Sequence, residues 1–244
     1  MFQKAISNFT QQHSYSSLCP KAFFFDMDGV IFDSMPYHAK SWVKAFEEIG
    51  IKFSEYKAYL NEGRTGASTI ANEFLEQKKR NATETEIQQL YKIKSHNFEK
   101  CGDPIPMPYA SQVLQKTKSL GIDIFLVTGS GQSSLLQTLN TFYPGIFSPD
   151  KMVTAYDVKH GKPHPEPYLM ALEKANIKPN EAFVIENATL GIQSAVAANI
   201  FTIGVNTGIL DEKELIQAGT NLIFNSMQDF YLQMDFLLDC CKKR

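Results

Sequence analysis

Asp26 and Asp28 stand one residue apart where an apolar run ends, in Phe23-Phe24-Phe25-Asp26-Met27-Asp28-Gly29-Val30. A continuous apolar run of this length is the mark of a strand covered on both faces. Ligands of open parallel sheets sit outside the carboxyl ends of the strands. Two carboxylates this close need a shared proton or a cation, and hard oxygen donors suit Mg²⁺. Three further sites have chemical groups at the ends of apolar runs or in the loops after them. Thr128 follows Ile122–Val127 and opens Thr128-Gly129-Ser130-Gly131. Glycines there let backbone amides approach a ligand, and a following helix N-terminus favours anions. Lys162 lies between Gly161 and Pro163, where a restrained loop would hold an ammonium against negative charge. Glu186 and Asn187 end the run Ala182–Ile185.

The elements that must position these groups alternate. Apolar runs at Ile122–Val127, Ala182–Ile185, Ile200–Val205 and Asn221–Phe224 read as strands, with Met152–Ala155 as a short addition. Helical patterns at Tyr109–Ser119, Gln132–Thr141, Pro165–Ala175, Leu190–Ala198 and Asp211–Ala218 lie between or beside them. Alternation of this kind predicts an α/β fold, a Rossmann-like, doubly wound parallel sheet with helices on both faces. The alternation breaks from about Ser34 to Pro108. Helical patterns at Met35–Ile49, Ser54–Leu60, Ser68–Lys78 and Thr83–Lys100 are followed by a proline-rich return at Asp103–Pro108. The expected organisation is an N-terminal arm at 1–20, a core formed by 21–33 and 109–244, and an inserted α-helical cap at 34–108.

The whole chain narrows the partners. It has 244 residues, 43% of them hydrophobic, which suffices for a full core. A formal charge of −2 offers no attraction for nucleic acid or an anionic membrane. No apolar run approaches a membrane span, and the first residues lack a continuous apolar segment of the signal-peptide kind. Cys19, Cys101, Cys240 and Cys241 have no metal-ligand spacing, so a reduced, cytoplasmic protein is expected.

Taken in order, these four motifs resemble the haloacid dehalogenase superfamily, in its β-phosphoglucomutase-like group with a helical cap. The resemblance covers nearly everything after Pro20. It implies Asp26 as the nucleophile that takes a phosphoryl group and Asp28 as general acid and base. Thr128, Gly129 and Ser130 would hold the transferring group and Lys162 would balance its charge. Mg²⁺ would be held by Asp26, by the backbone carbonyl of Asp28, by Glu186 and by Asn187. Asn187 departs from the two acidic residues common at this motif, and one negative charge is lost. Glu62, in the cap loop Asn61-Glu62-Gly63-Arg64-Thr65-Gly66, is the candidate replacement. In the resembled family this loop faces the active site, which makes Glu62, Gly63, Arg64 and Thr65 substrate-facing candidates. Arg64 is either a phosphate clamp or a surface ion pair. His38 is either a neighbour of the aspartates or a packed core histidine.

The cap motifs look closest to the inorganic pyrophosphatase branch of that group. They imply a Mg²⁺-dependent phosphohydrolase for pyrophosphate or a small sugar phosphate, acting through an aspartyl phosphate; a monomer is expected because the cap already covers the site. β-Phosphoglucomutase, interconverting β-glucose 1-phosphate and glucose 6-phosphate, is the alternative enzyme. A non-catalytic sensor of a phosphorylated metabolite is the alternative of another class.

Overall fold

A computed structural model describes residues 1–103, 105–131 and 133–242, with residues 133–136 as backbone. Gln132, with which one expected helix begins, and Pro104 of the proline-rich return lie outside the described residues. Six parallel strands form the sheet: β1 (Ala22–Phe25), β4 (Asp123–Val127), β5 (Met152–Val153), β6 (Ala182–Glu186), β7 (Phe201–Val205) and β8 (Leu222–Phe224). Their order is β5-β4-β1-β6-β7-β8. The chain builds outward from β1 to β4 and β5, then returns to place β6 on the other flank of β1. That reversal opens a crevice above the carboxyl end of β1. The register pairs Phe25 with Leu126 on one side and with Ile185 on the other. Asp26, Thr128 and Glu186 therefore reach the same edge of the sheet.

Apart from Asp123 at the start of β4, Glu186 at the end of β6 and Thr202 in β7, the strands are apolar because both faces are covered. Phe23, Phe25, Phe183 and Phe201 pack on one side with α1 (Phe2–Gln12) and α11 (Met227–Lys242). Phe24, Val127 and Val184 pack on the other with α8 (Glu166–Ala175). The arm expected at 1–20 is largely the helix α1, seated by Phe2, Ile6 and Phe9. The helix α11 is an element the sequence reading leaves out, although Met227, Phe230, Met234 and Leu237 repeat at helical spacing.

Four helices form the cap: α2 (Met35–Glu47), α3 (Glu55–Leu60), α4 (Gly66–Glu73) and α5 (Glu84–Glu99). Each of the last three has a side-chain N-cap, from Ser54, Thr65 and Thr83. Residues Phe74–Lys78 continue α4 as a wider π turn. The passages into and out of the cap pair as a short antiparallel ribbon, β2 (Phe32–Asp33) on β3 (Ile105–Pro106). The sequence shows no convincing strand there, because two residues carry no periodicity. Among the described residues, no helix is long and apolar enough to cross a membrane.

Candidate active site

Lys162 joins the strand ends. Its Nζ donates to Asp26 Oδ1 at 2.6 Å, to Glu186 Oε1 at 2.6 Å and to the Val127 carbonyl at 2.9 Å. These use all three ammonium hydrogens, and the side chain is fully buried. Burial alone would lower Lys162, but Asp26 and Glu186 outweigh it and hold the amine above its ordinary range. Burial raises Asp26 well above the usual carboxylate range. Lys162 opposes this, and the charges of Glu186 and Asp28 reinforce it. Thr128 Oγ1 accepts from the Ser130 amide at 2.9 Å.

Asp28 lies in a tight loop beyond β1. Gly29 donates its amide to the Phe32 carbonyl at 2.7 Å, and the Phe32 amide returns to Met27 at 3.0 Å. Gly29 has φ +81°, and a Cβ on it would lie 2.1 Å from Asn187 Nδ2. Only glycine admits that turn against the neighbouring motif. Asp28 Oδ1 accepts from Ser34 Oγ at 2.6 Å and bonds His38 Nε2 at 3.1 Å. Behind His38, its Nδ1 meets Lys94 Nζ at 2.8 Å. Lys94 is buried beneath the rings of Trp42 and Phe98, 5.5 and 4.8 Å away. Burial pushes Lys94 down to about 7 and lowers His38 as well, with the Lys94 charge adding to the latter. Burial would raise Asp28, but His38, Ser34 and Lys94 together keep it below its ordinary value. The chain Lys94–His38–Asp28 thus holds an ionised carboxylate inside a buried site. His38 is both buried and a neighbour of the aspartates. Ser34 and Lys94 are missed by sequence reasoning.

The cap sits closed on this edge. Asn187 Nδ2 donates to Glu62 Oε1 at 2.8 Å. A Cβ on Gly129 would lie 2.2 Å from the Gly63 carbonyl oxygen, so two backbones meet there. Thr65 packs its methyl 2.6 Å from where a Cβ on Gly161 would stand. Arg64 lines the chamber, its Nε buried with no hydrogen-bond partner. Trp42 and Tyr91, with rings 6.4 Å apart, also line it. The chamber lies between cap and core, is partly open to solvent, and is lined also by Asp26, Asp28 and Lys94.

The donor set fits a hard cation. Glu62 Oε2 and Asn187 Oδ1 are buried without hydrogen-bond partners beside the aspartates. Unpaired buried oxygens are costly. Burial, followed by the charge of Asp26, raises Glu62 well above its ordinary value. Among the described residues, no three acidic or imidazole groups form a ready-made cage. A mixed set of carboxylate, amide and backbone carbonyl, completed by water, is what Mg²⁺ accepts. Asp26, Asp28, Asn187 and Glu62 would hold it, with Glu186 adjoining. When bound, the ion would neutralise phosphoryl oxygens and the excess carboxylate charge.

An α/β core with a helical cap closed over two aspartates and a buried lysine defines an enzyme of the phosphatase and phosphoglucomutase-like kind. The chain belongs to the haloacid dehalogenase-like hydrolase family, whose model matches residues 20–199. It is similar to hexitol phosphatase A of Escherichia coli (strain K12), 30% identical over 80% of this chain and 89% of that protein. It is also similar to a phosphorylated carbohydrates phosphatase of Thermotoga maritima, 30% identical over 82% of this chain and 91% of the relative. Among solved structures, a Bacteroides vulgatus protein provisionally named a beta-phosphoglucomutase is 52% identical. It superposes with a TM-score of 0.96 over 99% of this chain and 98% of its own.

Proposed function

We propose that the protein is a Mg²⁺-dependent phosphohydrolase that passes a phosphoryl group through Asp26, with pyrophosphate as the favoured substrate. The observation that carries this is the carboxylate of Glu62, which reaches from the cap to Asn187 in the buried site beside the aspartates. An acidic cap side chain so near the aspartates makes the site shorter and more acidic, which suits a diphosphate bound against the cation and Arg64 better than a hexose phosphate. The state of Asp28 adds support. A sugar alkoxide leaves only with a proton, while phosphate is a good leaving group without one. An Asp28 kept ionised by His38 and Ser34 suits the latter and is ready to take a proton from water in the second half-reaction.

In this reading Lys162 occupies Asp26 Oδ1, so Oδ2 attacks the phosphorus. The Thr128 hydroxyl and the Gly129 amide hold the transferring oxygens, with the Ser130 amide fixing Thr128 Oγ1. Asp28 then activates water against the acyl phosphate, and the closed cap keeps other water out. Small phosphorylated carbohydrates are the second substrate class, supported by the names of the E. coli and Thermotoga relatives. A mutase has one observation in its favour, the provisional name of the Bacteroides vulgatus structure. Against it, Arg64 is the one cation of the cap loop, and a second phosphate of a bisphosphate needs more. A pure sensor would have no use for the Lys162–Asp26 pair.

The test is phosphate release with Mg²⁺ from pyrophosphate and a panel of sugar phosphates. β-Glucose 1-phosphate with a bisphosphate primer is assayed beside them for glucose 6-phosphate. Release chiefly from pyrophosphate supports the reading. Glucose 6-phosphate with little free phosphate sinks it.

A further inference from the structure

Tyr168 stands beneath the site with no access to solvent, its side chain at 0% exposure. It belongs to α8, where an apolar ring would pack as well against Phe24 and Val184. Its hydroxyl nevertheless donates to Glu186 Oε1 at 2.8 Å. That same oxygen accepts from Lys162 at 2.6 Å, and Lys162 lies 5.2 Å from the centre of the Tyr168 ring. The other carboxylate oxygen accepts from the amides of Asn187 and Ala188 at 3.2 and 3.3 Å. A buried chain therefore runs from the phenol to Glu186, to Lys162 and on to Asp26 Oδ1.

We propose that Tyr168 is a positioning residue, whose hydroxyl fixes Glu186 so that the Lys162 ammonium is shared with Asp26 rather than captured by Glu186. The physical argument is competition for one cation. Lys162 has a single charge and two carboxylates at equal distance. A phenolic hydrogen bond to Glu186 Oε1 withdraws charge from that oxygen and weakens its hold on the ammonium. With the hydroxyl gone, Glu186 Oε1 has Lys162 as its one donor and draws it closer. Asp26 then loses the bond that aims Oδ2 at the phosphorus. The ring contributes packing, which phenylalanine keeps, and only the oxygen carries the proposed role.

This inference rests on Asp26 accepting a phosphoryl group, but not on which compound supplies it. The experiment is calorimetric binding of beryllium trifluoride, an analogue of a phosphoryl group on a carboxylate, to wild type and Tyr168→Phe in excess Mg²⁺. Binding of Mg²⁺ alone and thermal melting are measured beside it. Expected is beryllium trifluoride affinity weaker by about tenfold, the effect of one hydrogen bond to a charged group. Mg²⁺ affinity changes less than about twofold. Unchanged beryllium trifluoride affinity overturns the proposal. So does a parallel loss of Mg²⁺ affinity, which would mean that the hydroxyl acts through the metal site. A loss explained by a smaller folded fraction, with affinity per folded molecule intact, overturns it as well. Pyrophosphate hydrolysis by the wild type is run separately: its failure removes the substrate reading and leaves this result standing.

Discussion

Asn187 and Glu62, 125 positions apart, share a buried hydrogen bond of 2.8 Å that ties the cap to the core. Each also has one buried oxygen without a hydrogen-bond partner. Asn187 is the site's departure from an all-acidic motif, and Glu62 brings a carboxylate from the opposite domain. In the proposed account, metal binding and cap closure are one event. Glu62→Gln keeps the size and removes the charge. Mg²⁺ affinity is expected to fall about 10- to 100-fold with turnover falling beside it. Calorimetry and a Mg²⁺ titration of rate check this, and unchanged values in both remove Glu62 from the metal shell.

Closure needs two backbones to touch at Gly129 and Gly63. A methyl at position 129 would stand 2.2 Å from a carbonyl oxygen that cannot rotate away. Gly129→Ala should leave the core folded and hold the cap ajar. A displacement on that scale costs roughly 100-fold in turnover. Scattering should show a more open molecule, and turnover at the wild-type level would mean that closure is not required.

Lys94 predicts a stability effect with a definite sign. Burial holds it at about 7, below its ordinary 10.5. Between those values the unfolded chain binds a proton that the folded chain does not. Stability therefore rises with pH across that window. The cost of the buried charge is full below about 7 and gone above about 10.5. It amounts to a few kcal/mol, on the order of 5. Lys94→Met should abolish the slope, so its advantage over wild type in denaturant is largest near neutrality and shrinks toward alkaline pH. Parallel curves for the two proteins would contradict the assignment.

His38 predicts a shift in rate instead. It is among the groups that keep Asp28 below its ordinary value against the opposing pull of burial. With His38→Ala that support goes and burial dominates, so Asp28 protonates more readily. The acid limb of the kcat/KM profile should move to higher pH. A limb that stays in place, or moves down, assigns it to another group.

The sequence made some of these contacts visible and hid others for a simple reason. Asp26, Thr128 and Glu186 end or follow strands apolar on both faces, and the end of such a strand is local information. Lys162 could be suspected because glycine and proline bracket it. Lys94 could not: in Tyr91-Lys92-Ile93-Lys94 it looks like one more solvated helix lysine. Its burial comes from packing against His38, 56 residues earlier. Tyr168 looks like a core aromatic, which it also is; its hydroxyl acquires meaning only beside Glu186. The helix α11 is a different case. Met227, Phe230 and Met234 spell a buried face in the sequence itself, but the helix follows the last strand and stands outside the strand–helix alternation.

The central claim is that Asp26 carries the phosphoryl group. Rapid acid quench of the enzyme with radiolabelled pyrophosphate and Mg²⁺, followed by peptide mapping, tests it directly. Label is expected on the peptide containing Asp26 within the first turnover, lost on chase and absent from Asp26→Asn. Phosphate release at full rate with no label on Asp26, and release that survives Asp26→Asn, would contradict it.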